Sequence, residues 1–199
     1  LELEGSKTVD ITPAIDDVMV LAGDIGNPWD PSYSEFITRC AAAYKQVIVI
    51  AGNHEYYTKN PEFKRLSLQQ HINNVETQIK NICDQFSNVV FLQRSTLVLD
   101  DVLYLGCTLW SIPDPKYEHQ MNDMYLIPGM NSDAFYRLHQ NDKQWLSKTV
   151  RDIGWEYSKV VVITHHLPSK EMIHPDFQNH HLNCFFASDC PNILQYADV

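Results

Sequence analysis

No surface rich in Lys and Arg can be built from this chain: its 199 residues hold 15 basic against 25 acidic side chains, a net charge of −10. Nucleic-acid binding relies on many Lys and Arg contacts to phosphate, so a nucleic-acid partner and a nuclease are both disfavoured. No apolar run is longer than a strand requires, so no membrane span is expected. No C-x-x-C pair occurs among Cys40, Cys83, Cys107, Cys184 and Cys190, and five is an odd number. That favours reduced thiols in an intracellular, cytoplasmic protein over a disulfide framework. Internal repeats, low-complexity tracts and a domain boundary are also missing, and the length fits one domain. There is no signal-peptide pattern, an absence that excludes nothing in a chain whose first residue is Leu1. Apolar residues at 44% and charged residues at 20% are ordinary for a soluble globular protein.

What is present is a repeated grammar. Val47-Ile48-Val49-Ile50 reads as a strand buried on both faces. It runs into Gly52, where a turn is cheap because glycine tolerates φ > 0. Asn53, His54 and Glu55 follow directly. In the same way Val18-Met19-Val20-Leu21 leads to Gly23 and Asp24, and Val160-Val161-Val162-Ile163 leads to Thr164, His165 and His166. The three strands are expected to deliver Asp24, Asn53 with His54, and His165 with His166 to one edge of a sheet, where open α/β sheets place their sites. Carboxylate oxygen, amide oxygen and imidazole nitrogen suit Mn, Fe, Zn or Co better than a soft metal.

The remaining segments frame those ends. Residues 8–17 read as a connector, and residues 26–31 as a loop by composition. Ser32 and Glu35 have the spacing of a capping box and open a helix through Phe36, Ile37, Cys40 and Tyr44. That helix returns the chain to the strand at Val47, which makes a βαβ unit with parallel strands. Leu68, Ile72, Val75, Ile79, Ile82 and Phe86 form one helical apolar stripe, beside which His71 reads as a packing or surface residue. Residues 88–91 make a short strand. Residues 96–99 and 102–105 flank Asp100-Asp101, a two-residue hairpin turn, so the sheet is mixed. Residues 110–130 form a long loop of the kind that tends to be functional, with Asn122 and Asp123 as candidates to line a substrate cleft. Residues 132–153 read as a helix burying Phe135, Leu138, Trp145, Leu146, Val150 and Ile153, with His139 on its solvated side. Residues 169–183, with His174, His180 and His181, read as a loop over the site. Cys184 and Cys190 beside His180 and His181 fit no common zinc spacing and are read as packed thiols.

Gly23-Asp24, Gly52-Asn53-His54-Glu55 and Thr164-His165-His166 resemble, in order, the middle three of the five motif blocks of the calcineurin-like metallophosphoesterases. Those blocks are D-x-H, G-D, G-N-H-D/E, G-H or H-H, and G-H-x-H. Gly106-Cys107-Thr108-Leu109-Trp110, Met121-Asn122-Asp123 and Phe186-Ala187-Ser188-Asp189 extend the resemblance over nearly the whole chain. It implies an α/β fold, a mixed β-sheet sandwich flanked by helices. It also implies a dinuclear centre of divalent metal ions (Mn, Fe, Zn or Mg) and hydrolysis of a small phosphomonoester or phosphodiester by metal-activated hydroxide. Two cations clamp the phosphoryl oxygens, lower the pKa of a water and reverse the local sign of an acidic protein. By that resemblance Asp24 bridges the metals, and the Asn53 carbonyl oxygen and a His165 ring nitrogen bind the second metal. His54 donates a proton to the leaving oxygen, a contribution of about 10²–10⁴ in rate. Glu55 and His166 support these groups or contact substrate, as do Asn122 and Asp123.

Neither the first D-x-H nor the last G-H-x-H block is found. The expectation is therefore a single domain over residues 1–199, incomplete at both ends, that holds at most one metal, weakly, and is an impaired catalyst as it stands. The alternative is a non-catalytic scaffold or interaction module that keeps the phosphoesterase fold. Retention of Asn53 and His54 favours the enzyme; the missing end blocks favour the scaffold. The natural substrate and the oligomeric state are not written in these residues.

Overall fold

The computed structural model describes residues 10–197; the Leu-Glu stretch at 1–4, the start of the expected 8–17 connector and the chain end at 198–199 lie outside the described residues. Strand β1 (Ala14–Ala22), helix α1 (Pro31–Ala43) and strand β2 (Tyr44–Ile50) form the expected βαβ unit, with β1 and β2 parallel. Strand β1 begins inside the segment read as a connector. Its register slips between Ala14 and Val18, where residues 15–17 of β1 stand opposite Lys45 alone of β2, so the polar Asp16 and Asp17 fall in a bulge that hydrophobic pattern does not mark. Helix α1 starts two residues earlier than expected. Asp30 is its N-cap, accepting from the Ser32 N–H at 2.9 Å, and Pro31 occupies the first turn. A proline there has φ preset and no N–H to waste, which outcompetes the Ser32–Glu35 box. The capping box in this chain sits instead at Ser67 and Gln70, opening α2 (Leu68–Cys83).

Strand β3 (Val89–Phe91) adds to β2 in parallel, giving a sheet in the order β1-β2-β3. Strands β4 (Ser95–Leu99) and β5 (Val102–Cys107) pair antiparallel, and β6 (Lys159–Thr164) lies parallel to β5, giving a second sheet. The turn between β4 and β5 is Asp100-Asp101, with φ of 51° and 63°, the left-handed pair that a two-residue hairpin requires. After β5 come α3 (Asp123–Leu126), α4 (Ser132–Ile153) and, after β6, α5 (Pro191–Leu194).

Alternation along the strands stacks these parts in four layers. Val47 and Val49 of β2 face α1 and α2, whereas Ile48 and Ile50 face the other sheet, where they meet Leu92 and Ile163. Leu103, Leu105 and Cys107 of β5 face α4 and α5 with Leu146, Val150 and Ile193. Gly106 lets the sheets close: a Cβ there would stand 2.8 Å from Ile50 Cγ2. The observed architecture is thus a mixed β-sandwich between two helical layers, as the α/β reading implied. One detail differs: β1 and β2 belong to one sheet and β6 to the other, so the three chemistry-bearing ends meet where two sheets abut rather than along one edge.

Helix α4 covers the predicted 132–153 span, yet His139, expected in solvent, is fully buried. Its buried stripe runs through Phe135, His139, Asp142, Leu146 and Val150. His139 Nδ1 donates to the Leu109 carbonyl at 3.0 Å, and Asp142 accepts the Leu109 N–H at 2.9 Å and Arg94 at 2.8 Å. Together they clamp Leu109 and Trp110, which hold φ of 71° and 48°, conformations that large side chains rarely adopt. All five cysteines are free thiols. Among the described residues no helix is long and apolar enough to cross a membrane.

Candidate active site

Two glycines make the room that the strand ends converge on. Gly23 has φ +88°, and a Cβ there would stand 2.7 Å from His165 Nδ1. A Cβ on Gly52 would collide with Asp24 Oδ1 and reach 2.8 Å from His165 Cε1. Gly52 is therefore needed for space and not, as its sequence suggested, for a positive φ. That conformation falls on Gly23 and on Asp24 itself, at φ 54°.

Glu55, fully buried, holds the two turns together. Its Oε2 accepts the N–H groups of Asp24 at 2.9 Å and Gly52 at 2.7 Å. Its Oε1 accepts those of Ile25 at 2.6 Å and Gly26 at 3.3 Å. Burial, then the Asp24 charge, raises its pKa, while the backbone donors act the other way.

With the turns fixed, three acceptors face one another. His165 Nδ1 lies 2.8 Å from the Ala22 carbonyl, which can only accept, so Nδ1 carries a hydrogen. In the neutral ring Nε2 is then bare. It points at Asn53 Oδ1, 3.0 Å away, and at Asp24 Oδ1, 3.4 Å away. The Asn53 amide cannot turn to relieve this, because its Nδ2 donates to Asp123 Oδ1 at 2.9 Å and to the Tyr57 hydroxyl at 3.3 Å. Lone pairs on a carboxylate, an amide and an imidazole thus aim at one another, an arrangement that only a proton or a cation between them stabilises. Burial disfavours a charged His165, but the hydrogen bond to Asp24 and its charge raise the ring's pKa. Burial likewise opposes ionisation of Asp24, yet His165, then His54, holds its carboxyl below the usual value. A divalent cation fits the same donor set by oxygen and nitrogen chemistry. Among the described residues no group of three or more His, Cys, Asp or Glu side chains is gathered for a metal ion; this set has one carboxylate, one imidazole and an amide.

His54 stands at the mouth. Its backbone N–H donates to Asp24 Oδ1 at 3.0 Å, its Nδ1 lies 3.9 Å from Asp24 Oδ2, and its side chain is 33% exposed. The ring stacks on Tyr57, centroids 4.3 Å apart. His166 points the other way, its ring buried between Trp110 and Phe135 and its backbone N–H donating to the Thr108 carbonyl at 3.1 Å. Burial, then repulsion from His165, pushes its pKa down to about 3, so it is neutral. Asn122 is exposed at the start of α3. Asp123 beside it is buried and turned toward Asn53 rather than lining an open cleft.

Sequence reasoning gives no role to Tyr57 or, beyond its place in the family-like 106–110 stretch, to Thr108. Tyr57 follows the Asn53-His54 pair by four and three residues in a 3-10 turn, a spacing that returns it to their side. Thr108, buried, donates through Oγ1 to the Ala51 carbonyl at 2.8 Å and so joins β5 to the turn before Gly52.

A family model described as calcineurin-like phosphoesterase matches residues 7–194. An uncharacterized protein of Acanthamoeba polyphaga mimivirus is 29% identical over 159 residues, which cover 75% of this chain and 55% of that protein. The chain therefore spans just over half the length of the curated relative it matches. The crystal structure of phosphopantetheinyl hydrolase from Mycobacterium tuberculosis aligns with a TM-score of 0.61 over 92% of this chain and 67% of that one, at 15% identity, a likeness of fold.

Proposed function

Given that the chain belongs to the calcineurin-like phosphoesterase family, we propose that its site hydrolyses a small phosphomonoester or phosphodiester with the help of a divalent cation. The observation that carries this reading is the convergence of Asp24 Oδ1, Asn53 Oδ1 and His165 Nε2, three acceptors with no donor among them once Nδ1 is spent on Ala22. These three would hold the cation. When bound, it supplies charge against the phosphoryl oxygens and acidity to a water. Asp24 contributes the negative charge that keeps it there, and the Glu55 staple fixes the Asp24 and Gly52 turns against each other. His54, half-exposed and held flat by Tyr57, carries the proton that the leaving oxygen takes. Neutral His166 packs behind His165 and keeps water from the rear of the ring. Five free thiols with no disulfide among them support a reducing, cytoplasmic setting.

The test is hydrolysis of p-nitrophenyl phosphate and bis(p-nitrophenyl) phosphate with and without added Mn²⁺. Activity that needs Mn²⁺ and drops by about 10²–10⁴ in kcat in His54→Ala supports the reading. Activity indifferent to both Mn²⁺ and His54 overturns it. A folded chain inert under all conditions favours the scaffold.

A further inference from the structure

The side-chain amide of Asn is nearly symmetric in shape, and a half-turn exchanges an acceptor for two donors. Which end faces His165 therefore decides whether Asn53 can face a cation at all. We infer that Asp123 is a positioning residue: it fixes the Asn53 amide with its oxygen toward Asp24 and His165, and through Tyr57 it sets the plane of the His54 ring. This rests on the cation reading of the site proposed above.

As a carboxylate Asp123 can only accept, and it is 1% exposed. Its Oδ1 takes Asn53 Nδ2 at 2.9 Å, and its Oδ2 takes the Tyr57 hydroxyl at 3.2 Å. Tyr57 in turn accepts from Asn53 Nδ2 at 3.3 Å. Both hydrogens of the amide are thus used on the Asp123 side. Turning the amide over would set its oxygen against Asp123 Oδ1 in a buried place, trading a hydrogen bond for a contact between two acceptors. The same hydroxyl anchors the ring that stacks on His54, 28° from parallel. Asp123 comes from a segment 70 residues further on, and that segment is tied down nearby, where the Thr58 N–H donates to the Leu126 carbonyl at 2.9 Å. The orientation of Asn53 is therefore a tertiary property, set by the 110–130 loop.

A buried carboxylate with two hydrogen bonds also supports the fold, so stability alone does not decide the matter. The experiment measures three things on the full chain and on Asp123→Leu, Asp123→Asn and Tyr57→Phe. These are Mn²⁺ affinity by calorimetry, the Asn53 side-chain amide resonances by ¹⁵N NMR, and the thermal midpoint. Asp123→Leu is expected to weaken Mn²⁺ about 10–100-fold, as loss of a partner behind a ligand does, and Asp123→Asn, which keeps an acceptor oxygen, to recover most of that. In Asp123→Leu and Tyr57→Phe the Asn53 amide protons are expected to exchange faster with water. A folded Asp123→Leu that binds Mn²⁺ within about twofold of the unsubstituted chain overturns the inference while leaving the cation reading intact. Unchanged Asn53 resonances in every variant overturn it as well. If Asp123→Leu does not fold, Asp123→Asn and Tyr57→Phe decide by the same resonances. If the unsubstituted chain binds no Mn²⁺, the cation reading fails and the inference fails with it.

Discussion

Glu55 accepts four backbone N–H groups from two turns, those of Asp24, Ile25 and Gly26 in one and of Gly52 in the other. In Glu55→Gln one acceptor oxygen becomes an NH₂ facing donors, which leaves buried N–H groups unpaired. We expect a loss of about 2–3 kcal/mol. In a domain of this size that lowers the thermal midpoint by about 4–12 °C, read by calorimetry. A change of less than about 1 °C would contradict the staple. The residue scale is also where the sequence was most legible. Asp24, Asn53, His54 and His165 stand together because each follows a strand whose apolar run is unmistakable. Asp123 is legible as a candidate to line a substrate cleft, but its tie to Asn53 is not, and Tyr57 carries no signal of its own. Only the fold brings the two within 3.2 Å of one another.

At the scale of elements, local chemistry and tertiary demand part company in identifiable places. The βαβ unit, α2, the hairpin and α4 follow from periodicity and turn residues. The hairpin turn is built without glycine, so Asp100 and Asp101 both bear a left-handed backbone. Asp100 is engaged by Lys45 at 2.7 Å, but Asp101 contributes only its carbonyl, to Ser158. Asp101→Gly is therefore expected to stabilise the chain by about 0.5–1 kcal/mol, since the strain removed exceeds the entropy added to the unfolded state. Chemical denaturation checks this, and a lower midpoint would contradict it. Helix α4 shows why its buried face was misjudged. His139 and Asp142 occupy the stripe that Phe135, Leu146 and Val150 define, and their polarity hides the period. They are there because Leu109 and Trp110 need clamping, a demand that arises in β5's loop and leaves no trace in the helix.

For the molecule as a whole, buried histidines set how stability depends on pH. His71, His139 and His166 all have lowered pKa values, burial being the leading cause in each. A depressed pKa contributes stability above the unfolded value, near 6.5 for histidine, and that contribution is lost as pH falls through the folded one. Glu55, Glu76, Asp123 and Asp142 are raised by burial, so their contribution runs oppositely: present at low pH and lost as pH rises through their folded values. A variant isolates the histidine part. The stability difference between the unsubstituted chain and His139→Gln is expected to shrink as pH drops below about 6.5, by up to about 1.4 kcal/mol per pH unit. A difference that stays constant from neutral pH to pH 5 would contradict a neutral, buried His139.

The same four-layer packing turns the ends of β1, β2 and β6 toward one point, and the functional account depends on a cation being held there. Electron paramagnetic resonance of Mn²⁺ added to the ¹⁵N-histidine-labelled chain tests this most directly. The account predicts hyperfine coupling to one imidazole nitrogen that disappears in His165→Ala. Coupling that survives that substitution, or Mn²⁺ that remains wholly aqueous with the folded chain, contradicts it.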